Sequence, residues 1–386
     1  MRVRVATLNV WALPSPFAQH VSERMTAIGS RIRDLDADLV SFQEVWTPSA
    51  RETLVAAGHA AGLVHNWHTE ASFGGSGLLV LSRLPIESAQ FERYSLRGLP
   101  EEIGGDFYGG KGFVRLIVET SAGAIALLNT HLHARYSKRV RHEYRGLRTG
   151  QIVQLAVGTM QLQIPALATG DFNFNEFDSG HRVLTGLTGF RDLAAESNQR
   201  QPTVLRQNAY RRGRSKPDKR IDYVFARNGS AHAVRTNWIE RIFDEPIEID
   251  GRPASYSDHA GLLAELEIVR DFGSAPGLPS VDAIAMARTL LAQGREEARK
   301  RQQDERSWAT AGVFGAIAAG AGVRGLSTTR RRLLRGALRS SALIALMPSA
   351  GLSILSELFV PDELQAFDDL AAQLARVETP ATGSIA

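Results

Sequence analysis

Short apolar runs alternate with amphipathic segments and turn-rich loops from Val3 to about Val269. The runs are rich in β-branched and aliphatic residues and have the length of strands. Their alternation with helical patterns predicts a layered α/β domain. The predicted strands are Val3–Leu8, Asp38–Phe42, Gly77–Leu81, Phe113–Glu119, Ala124–Asn129, Ala166–Thr169, Ile221–Phe225 and Leu262–Ile268.

Two segments between these runs have helical spacing. Apolar residues recur at steps of three and four through Val21, Met25, Ile28, Ile32 and Leu35. This spacing predicts a helix whose apolar stripe packs against a sheet. A second long helix is predicted over Arg139–Leu162.

The pattern changes after Arg270. A Gly/Pro-rich stretch over residues 271–279 leads into a charged helical segment that ends near Arg306. Two apolar segments follow, Trp308–Val323 and Ala342–Val360, separated by an arginine cluster. We therefore predict a main domain over residues 1–270 and a linker with a charged helix over residues 271–306. A hydrophobic helical hairpin over residues 307–362 and a C-terminal helix with tail over residues 363–386 follow.

Composition narrows the chemistry. With 44% hydrophobic and 22% charged residues, the chain is typical of a folded globular protein. It contains no cysteine, which excludes disulfides, thiolate metal sites and a cysteine nucleophile. The formal net charge of +4 favours an anionic partner, such as phosphate groups or an acidic membrane surface, although a generic basic protein is equally compatible. The first residues show a strand pattern and no secretory signal, so we expect no export by the usual route.

Polar residues suited to catalysis stand at the ends of the predicted strands. A layered α/β fold presents such residues to a shared crevice. Singly, each is more typical of a structural residue, but the ordered set predicts phosphodiester hydrolysis, which needs a cation, a base and hydrogen-bond donors. In chain order the set is Asn9, Glu44, His131, Asp171, Asn173, Asp222, Asp258 and His259.

The metal ion would be hard and oxygen-ligated. Mg²⁺ prefers carboxylate oxygen and keeps several of its waters, so Glu44 is the best single ligand. Asn9 could add an amide oxygen or orient a metal-bound water. We expect Mg²⁺, with Mn²⁺ as the alternative.

The remaining residues are suited to proton transfer and to binding the phosphate group of the substrate. His259 titrates near neutrality and is the predicted general base, with Asp258 and Asp222 positioned to hold its ring. His131 and Asn173 would donate to the phosphate oxygens. Asp171 either positions the attacking water or binds the metal.

In this order the residues resemble the endonuclease/exonuclease/phosphatase superfamily over about Val3–Val269. Within it the chain looks like a neutral sphingomyelinase of the membrane-bound intracellular type. The matching motifs are Leu8-Asn-Val-Trp-Ala-Leu-Pro14, Gln43-Glu-Val-Trp46, Gly75-Ser-Gly77, Thr130-His-Leu-His-Ala134, Gly170-Asp-Phe-Asn173, Arg220-Ile-Asp-Tyr-Val224 and Ser257-Asp-His259.

The resemblance implies a four-layer, deoxyribonuclease-like sandwich of two β-sheets flanked by helices, with a helical and hydrophobic C-terminal extension. It implies Mg²⁺-dependent hydrolysis of sphingomyelin, or a related phosphosphingolipid, to ceramide and phosphocholine. The glycine-rich stretch around Lys111 resembles a loop whose lysine contacts a catalytic carboxylate or the substrate phosphate. Phe172 departs from the family pattern, where leucine is common, and this leaves head-group preference open.

The C-terminal segments suggest membrane attachment. Gly312, Ala316 and Gly320 recur every four residues, as in closely packed membrane helices, although a soluble Ala/Gly-rich helix is the alternative. The segment Trp308–Val323 is short for a span, and Pro348 interrupts the second. We therefore favour interfacial attachment to an anionic membrane on its cytoplasmic face, and the sequence indicates no protein partner.

Two other functions remain open. The same active-site set could serve a Mg²⁺-dependent nuclease or another phosphodiesterase or phosphatase of the superfamily. In a nuclease, the basic stretches Arg135–Arg148 and Arg206–Arg220 could follow the phosphate backbone, although these stretches also suit a solvated helix face and a loop. The hydrophobic C-terminus and the loop Trp11–Pro14 favour lipid over nucleic acid. A non-enzymatic lipid-binding module is the second alternative, and the presence of acid, base and metal positions argues against it.

Overall fold

A computed structural model describes residues 1–69, 76–99, 107, 109–135, 144–211, 216–322 and 355–378. The strands are β1 Arg2–Ala12, β2 Leu39–Val45, β3 His65–His68, β4 Leu79–Ser82, β5 Ile86–Arg93, β6 Gly112–Thr120, β7 Gly123–His131, β8 Ala166–Asp171, β9 Arg191–Asp192, β10 Asp222–Arg227, β11 His232–Ile242, β12 Ile247–Ile249, β13 Arg252–Ala254 and β14 Gly261–Arg270. The helices are α1 Val21–Ile32, α2 Pro48–Ala60, α3 Arg145–Met160, α4 Ser179–Thr188, α5 Leu193–Glu196, α6 Val281–Gly322 and α7 Val360–Glu378.

Two six-stranded sheets form the centre of the fold. One has the order β11-β14-β1-β2-β4-β3 and the other the order β5-β6-β7-β8-β10-β9. Each sheet contains one parallel pair, β1 with β2 and β7 with β8, while β10 and β14 run antiparallel to their neighbours. The carboxyl ends of the parallel strands and the amino ends of β10 and β14 therefore lie at one end of the sandwich, here called the site end.

The sheets pack face to face through aliphatic side chains. Val5 and Val80 of the first sheet belong to the same buried cluster as Leu116, Leu127 and Val224 of the second. Every second residue along a strand points into this layer, because successive side chains of a strand face opposite sides of the sheet. The prediction of a two-sheet sandwich flanked by helices is confirmed.

Helices cover both outer faces. The stripe of α1 packs on the first sheet, where Met25 and Ile28 are fully buried, and α2 begins after the N-cap Thr47 with Pro48 in its first turn. On the second sheet, α3, α4, α6 and α7 share one cluster with Leu128, Phe172 and Phe225. The chain thus has four layers.

The predicted elements correspond well to the described ones. Each predicted strand overlaps a strand of the structure, and the predicted helix Arg139–Leu162 corresponds to α3, Arg145–Met160. Four parts of the predicted pattern lie wholly or partly outside the described residues: the glycine-rich loop before Lys111, Gly75, the arginine cluster and most of the second apolar segment.

The C-terminal helices lie against the main domain. Helix α6 runs without a break across residue 306, and α7 returns antiparallel to it, with Arg295 donating to Asp368 at 2.7 Å and Arg306 to Glu357 at 2.8 Å. The division of the chain into units remains a prediction. Among the described residues, no helix combines the length and the apolar character needed to cross a membrane.

Candidate active site

Strand ends from both sheets meet at the site end. Asn9 lies on β1, and Glu44 lies on β2 beside it, because the parallel register pairs Asn9 with Gln43. In the second sheet, His131 and Asp171 end β7 and β8 and are register partners. Asp222 pairs with Asp171 across the antiparallel β8–β10 ladder. The strand pairing thus brings residues that are far apart in the chain into a single cluster.

Asn9 joins two carboxylates from opposite sheets. Its Nδ2 donates to Glu44 Oε1 at 2.9 Å and to Asp171 Oδ2 at 3.1 Å. Its Oδ1 accepts from the backbone N–H of Trp11 at 3.0 Å, which fixes which way the amide points. In this geometry Asn9 orients the carboxylates, and the prediction that its oxygen ligates a metal stays a prediction.

His131 and Lys111 face the same two carboxylates. His131 Nε2 lies 3.4 Å from Asp171 Oδ2 and 3.9 Å from Glu44 Oε1. Lys111 Nζ lies 2.9 Å from His131 Nε2 and donates to the carbonyl of Leu132 at 3.0 Å. Both side chains are almost completely buried, so an amino group and an imidazole lie beside the acids of the cluster.

These neighbours change the acidity of Asp171. Burial raises the pKa of this carboxyl, but His131, His259 and Lys111 more than offset that effect and hold the pKa below its usual range. Asp171 is therefore ionised at neutral pH.

His259 is held by a buried carboxylate. Its Nδ1 lies 2.9 Å from Asp222 Oδ2, and its Nε2 lies 4.0 Å from Asp171 Oδ2. Burial lowers the pKa of His259, but Asp222, Asp258 and Asp171 together raise it well above its ordinary value. The pairing fixes the ring and leaves Nε2 directed at the other acids.

Asp258 and Asn173 complete the predicted set. Burial raises the pKa of Asp258, whose Oδ1 lies 3.3 Å from Ser257 Oγ. Asn173 adopts a left-handed φ of 51°, its N–H donates to Asp171 Oδ1 and its Nδ2 to the carbonyl of Leu132, both at 3.0 Å. All the predicted site residues thus lie at the site end, although their individual roles are not tested by this geometry.

The cluster fits a hard divalent cation. Ligand atoms of Glu44, His131 and Asp171 lie within 4.8 Å of one another, and so do those of Asp171, Asp222 and His259. Burial raises the pKa of Glu44, a cost that a bound cation would offset. Two carboxylate oxygens at the centre are the donors that Mg²⁺ prefers.

Arg24 is a part of the site that the motifs did not reveal. Its guanidinium is completely buried and donates to the carbonyls of Val10 at 2.7 Å, Trp11 at 2.7 Å and Tyr256 at 3.1 Å. It therefore ties the end of β1 to the segment that enters β14. The sequence did contain an indication of this burial. Arg24 lies three residues after Val21 and four residues before Ile28, which places it on the apolar face of α1.

Aromatic rings and a hydroxyl strengthen this connection. Arg24 lies 5.0 Å from the ring centre of Trp11 and 5.4 Å from that of Tyr210. Trp11 has a left-handed φ of 48°, and its N–H donates to Asn9 Oδ1. Ser257 Oγ donates to the carbonyl of Asn9 at 2.6 Å. Neither the strain at Trp11 nor the contact with Tyr210 has a signature in the sequence.

Comparison with known proteins agrees with this geometry. Residues 6–259 match the Endonuclease/Exonuclease/phosphatase family. The chain belongs to this family. A protein of Drosophila melanogaster with a provisional neutral sphingomyelinase name is 30% identical over 281 residues, which cover 70% of this chain and 62% of that protein. Human sphingomyelin phosphodiesterase 2 is 26% identical over 404 residues, covering 98% of this chain and 91% of the relative.

Solved structures of other proteins share the fold. Staphylococcus aureus beta toxin matches with a TM-score of 0.54 at 17% identity, covering 68% of this chain and 99% of the toxin. A variant of that toxin solved with bound magnesium ions matches with a TM-score of 0.52 at 15% identity, over 68% of this chain and 99% of the toxin. This likeness confirms the deoxyribonuclease-like sandwich.

Proposed function

We propose that the chain is a Mg²⁺-dependent sphingomyelin phosphodiesterase of the phospholipase C type. It hydrolyses sphingomyelin, or a related phosphosphingolipid, to ceramide and phosphocholine. The observation that carries the proposal is the convergence of Glu44, Asp171 and the Asp222–His259 pair around one space. The broader class, a phosphoric diester hydrolase, follows from the family and from the relatives named as sphingomyelin phosphodiesterases.

Glu44 and Asp171 would hold the cation, with Asn9 fixing both carboxylates. When bound, a divalent cation neutralises charge on the phosphoryl oxygens. Magnesium suits a site of two carboxylate oxygens, and a related toxin has been solved with that ion.

His259 acts as the general base. Asp222 holds Nδ1, so the accepting atom is Nε2, which faces Asp171 and the space above it. A cation held by Glu44 and Asp171 would oppose the effect of the carboxylates and lower the pKa of His259, so that the neutral ring could take the proton of a water beside Nε2. Asp222 and Asp258 would then stabilise the imidazolium that results.

Three residues bind the phosphate. His131 Nε2 lies 3.4 Å from Asp171 Oδ2 and 2.9 Å from Lys111 Nζ, and the backbone N–H of Asn173 donates to Asp171 Oδ1 at 3.0 Å. Their donors would stabilise charge on the non-bridging oxygens during in-line displacement.

We also propose that the protein attaches to a membrane through residues 307–362, on the cytoplasmic face. The support is the apolar end of α6, where Trp308 and Phe314 are mostly exposed. A phospholipid substrate is supplied at such a surface.

The test incubates the full chain with vesicles of sphingomyelin, phosphatidylcholine or an inositol phosphosphingolipid, and with plasmid DNA, in Mg²⁺ or EDTA. We expect Mg²⁺-dependent release of phosphocholine from sphingomyelin. The variant His259→Ala should lower turnover by about 10³-fold or more. His232→Ala is the matched control, because this histidine begins β11 at the opposite end of the sandwich. Cleavage of DNA in place of lipid, or turnover by His259→Ala, contradicts the proposal.

A further inference from the structure

Two aromatic side chains of the main domain project into solvent from ordered turns. Phe17 is 54% exposed and Phe177 is 88% exposed. The N–H of Phe17 donates to the carbonyl of Pro14 at 2.9 Å, and that of Phe177 to Asn175 Oδ1 at 2.9 Å. In both cases a local hydrogen bond holds the backbone in a turn from which the ring extends into solvent.

Both turns leave strands that carry site residues. The turn with Phe17 follows β1, which ends beyond Asn9, and the turn with Phe177 follows β8, which ends at Asp171. Since these strand ends define the site end, the two rings project from the end of the sandwich where the active site opens.

Helix α6 carries further apolar side chains toward the same end. It starts beside the end of α4, where Gly186 adjoins Ala283, and it meets the start of α3 where Gly146 adjoins Gly294. Helix α3 begins at the site end, since the N–H of His133 donates to Gln151 and Arg148 donates to the carbonyl of His133.

The last described turns of α6 extend beyond this level. Trp308 lies about 21 Å further along the helix than Gly294 at the usual rise per residue. Trp308 is 70% exposed and Phe314 is 67% exposed, and Leu358, just before α7, is 62% exposed. Three separate parts of the chain thus present apolar side chains at one end of the molecule.

A basic segment lies at the same end, just before Asp222. The segment that leads to Asp222 exposes Arg206, Lys216 and Lys219 against one exposed acid, Asp218. An anionic lipid surface complements this charge, and basic residues near such a surface add to the attraction.

We propose that Phe17, Phe177 and the apolar end of α6 form one lipid-binding surface that seats the active site on a phospholipid bilayer. The inference deepens the proposed function, on which it rests. A bilayer fits better than a second copy of the chain, because the apolar groups are separate projections with a basic rim and not a continuous flat patch. The catalytic domain itself contacts lipid, in addition to the C-terminal segments.

The experiment compares the full chain with the double variant Phe17→Ser/Phe177→Ser. Sedimentation with vesicles of phosphatidylcholine and phosphatidylserine, free of substrate, measures partitioning. Phe272→Ser is the control: Phe272 is 77% exposed and follows β14, which runs away from the site end. We expect the double variant to lose about tenfold or more in partition coefficient and the control to lose none.

Hydrolysis of a short-chain diester below its micellar concentration separates lipid contact from catalysis. We expect both variants to match the wild type on this soluble substrate. Unchanged partitioning of the double variant overturns the proposal, as does loss of soluble turnover, which would place the rings in the fold or the site. A change from dimer to monomer without a change in partitioning identifies a protein interface and also overturns it. If the wild type cleaves no diester but the partitioning result holds, the proposed function fails and the lipid surface stands.

Discussion

Replacing Arg24 by methionine tests whether one buried cation holds the active site together. Arg24 donates to the carbonyls of Gln19, Val10, Trp11 and Tyr256. Methionine keeps most of the apolar volume and removes all four donors. Because Val10 and Trp11 follow Asn9 and Tyr256 precedes Asp258, the change should loosen both halves of the site.

The expected loss of stability follows from these contacts. Hydrogen bonds from a charged donor contribute about 1.5 kcal/mol each at the low end, so the four donors give a gross loss of about 6 kcal/mol. Methionine avoids the cost of burying an ion, which is several kcal/mol. We expect the free energy of unfolding to fall by about 3 kcal/mol for Arg24→Met.

Urea unfolding and steady-state kinetics measure the two consequences. We expect kcat on a soluble diester to fall about tenfold or more under conditions where the variant is folded, because misplacement of about 1 Å is costly in catalysis. Arg24→Lys should recover little, since an ammonium cannot reach the same carbonyls as a planar fork. Arg31→Met, which removes a guanidinium that is 42% exposed on the same helix, should change stability by less than about 1 kcal/mol. If Arg24→Met unfolds like the wild type and keeps its kcat, the reasoning is wrong.

Three further changes probe other contacts. Asp222→Asn should lower kcat by about 10²-fold or more with little change in KM, since it disturbs the tautomer of His259; kinetics on a soluble diester check this. Burial raises the pKa of the Asp192 carboxyl, but His181 and Arg220 more than offset this effect and hold the pKa below its usual range. The ionised carboxylate therefore stabilises the fold above about pH 4, and this stabilisation is lost as the pH falls further. The difference in unfolding free energy between wild type and Asp192→Asn should therefore shrink from pH 5 to pH 3 in urea titrations, roughly across the range where free aspartate titrates. Gly170→Ala should destabilise by about 2 kcal/mol or more in the same assay, because Gly170 has φ 142° and a Cβ there would lie 1.9 Å from a backbone carbonyl of β7.

The central strands were predictable because each is a continuous apolar run. Residues such as Val40 and Leu127 are buried on both sides of their sheets, so the runs stand out from their flanks. The edge strands β3, β5 and β11 escaped prediction because they are half-exposed and carry mixed polar residues, as in His65–His68. Their pairing depends on the neighbouring strand more than on their own sequence.

The cluster of site residues was predictable from order and position, but its geometry was not. A strand-end location for Glu44 and Asp171 follows from the apolar runs before them. The direction of the Asn9 amide depends on the N–H of Trp11, and the burial of Arg24 depends on carbonyls from the end of β1 and from Tyr256. Such tertiary constraints have no periodicity that a single sequence could display.

The antiparallel contact between α6 and α7 determines where the polypeptide can be shortened. Leu291 and Leu370 pack on α3 in the buried cluster that also contains Leu128 of β7, so a stop codon anywhere before residue 374 would expose the outer side of α3. Arg306 of α6, by contrast, donates to Glu357, just before α7, at 2.8 Å, so these two positions lie close together in space. An internal deletion that joins these two positions by a few glycines is therefore the economical route to a compact, soluble form for crystallisation.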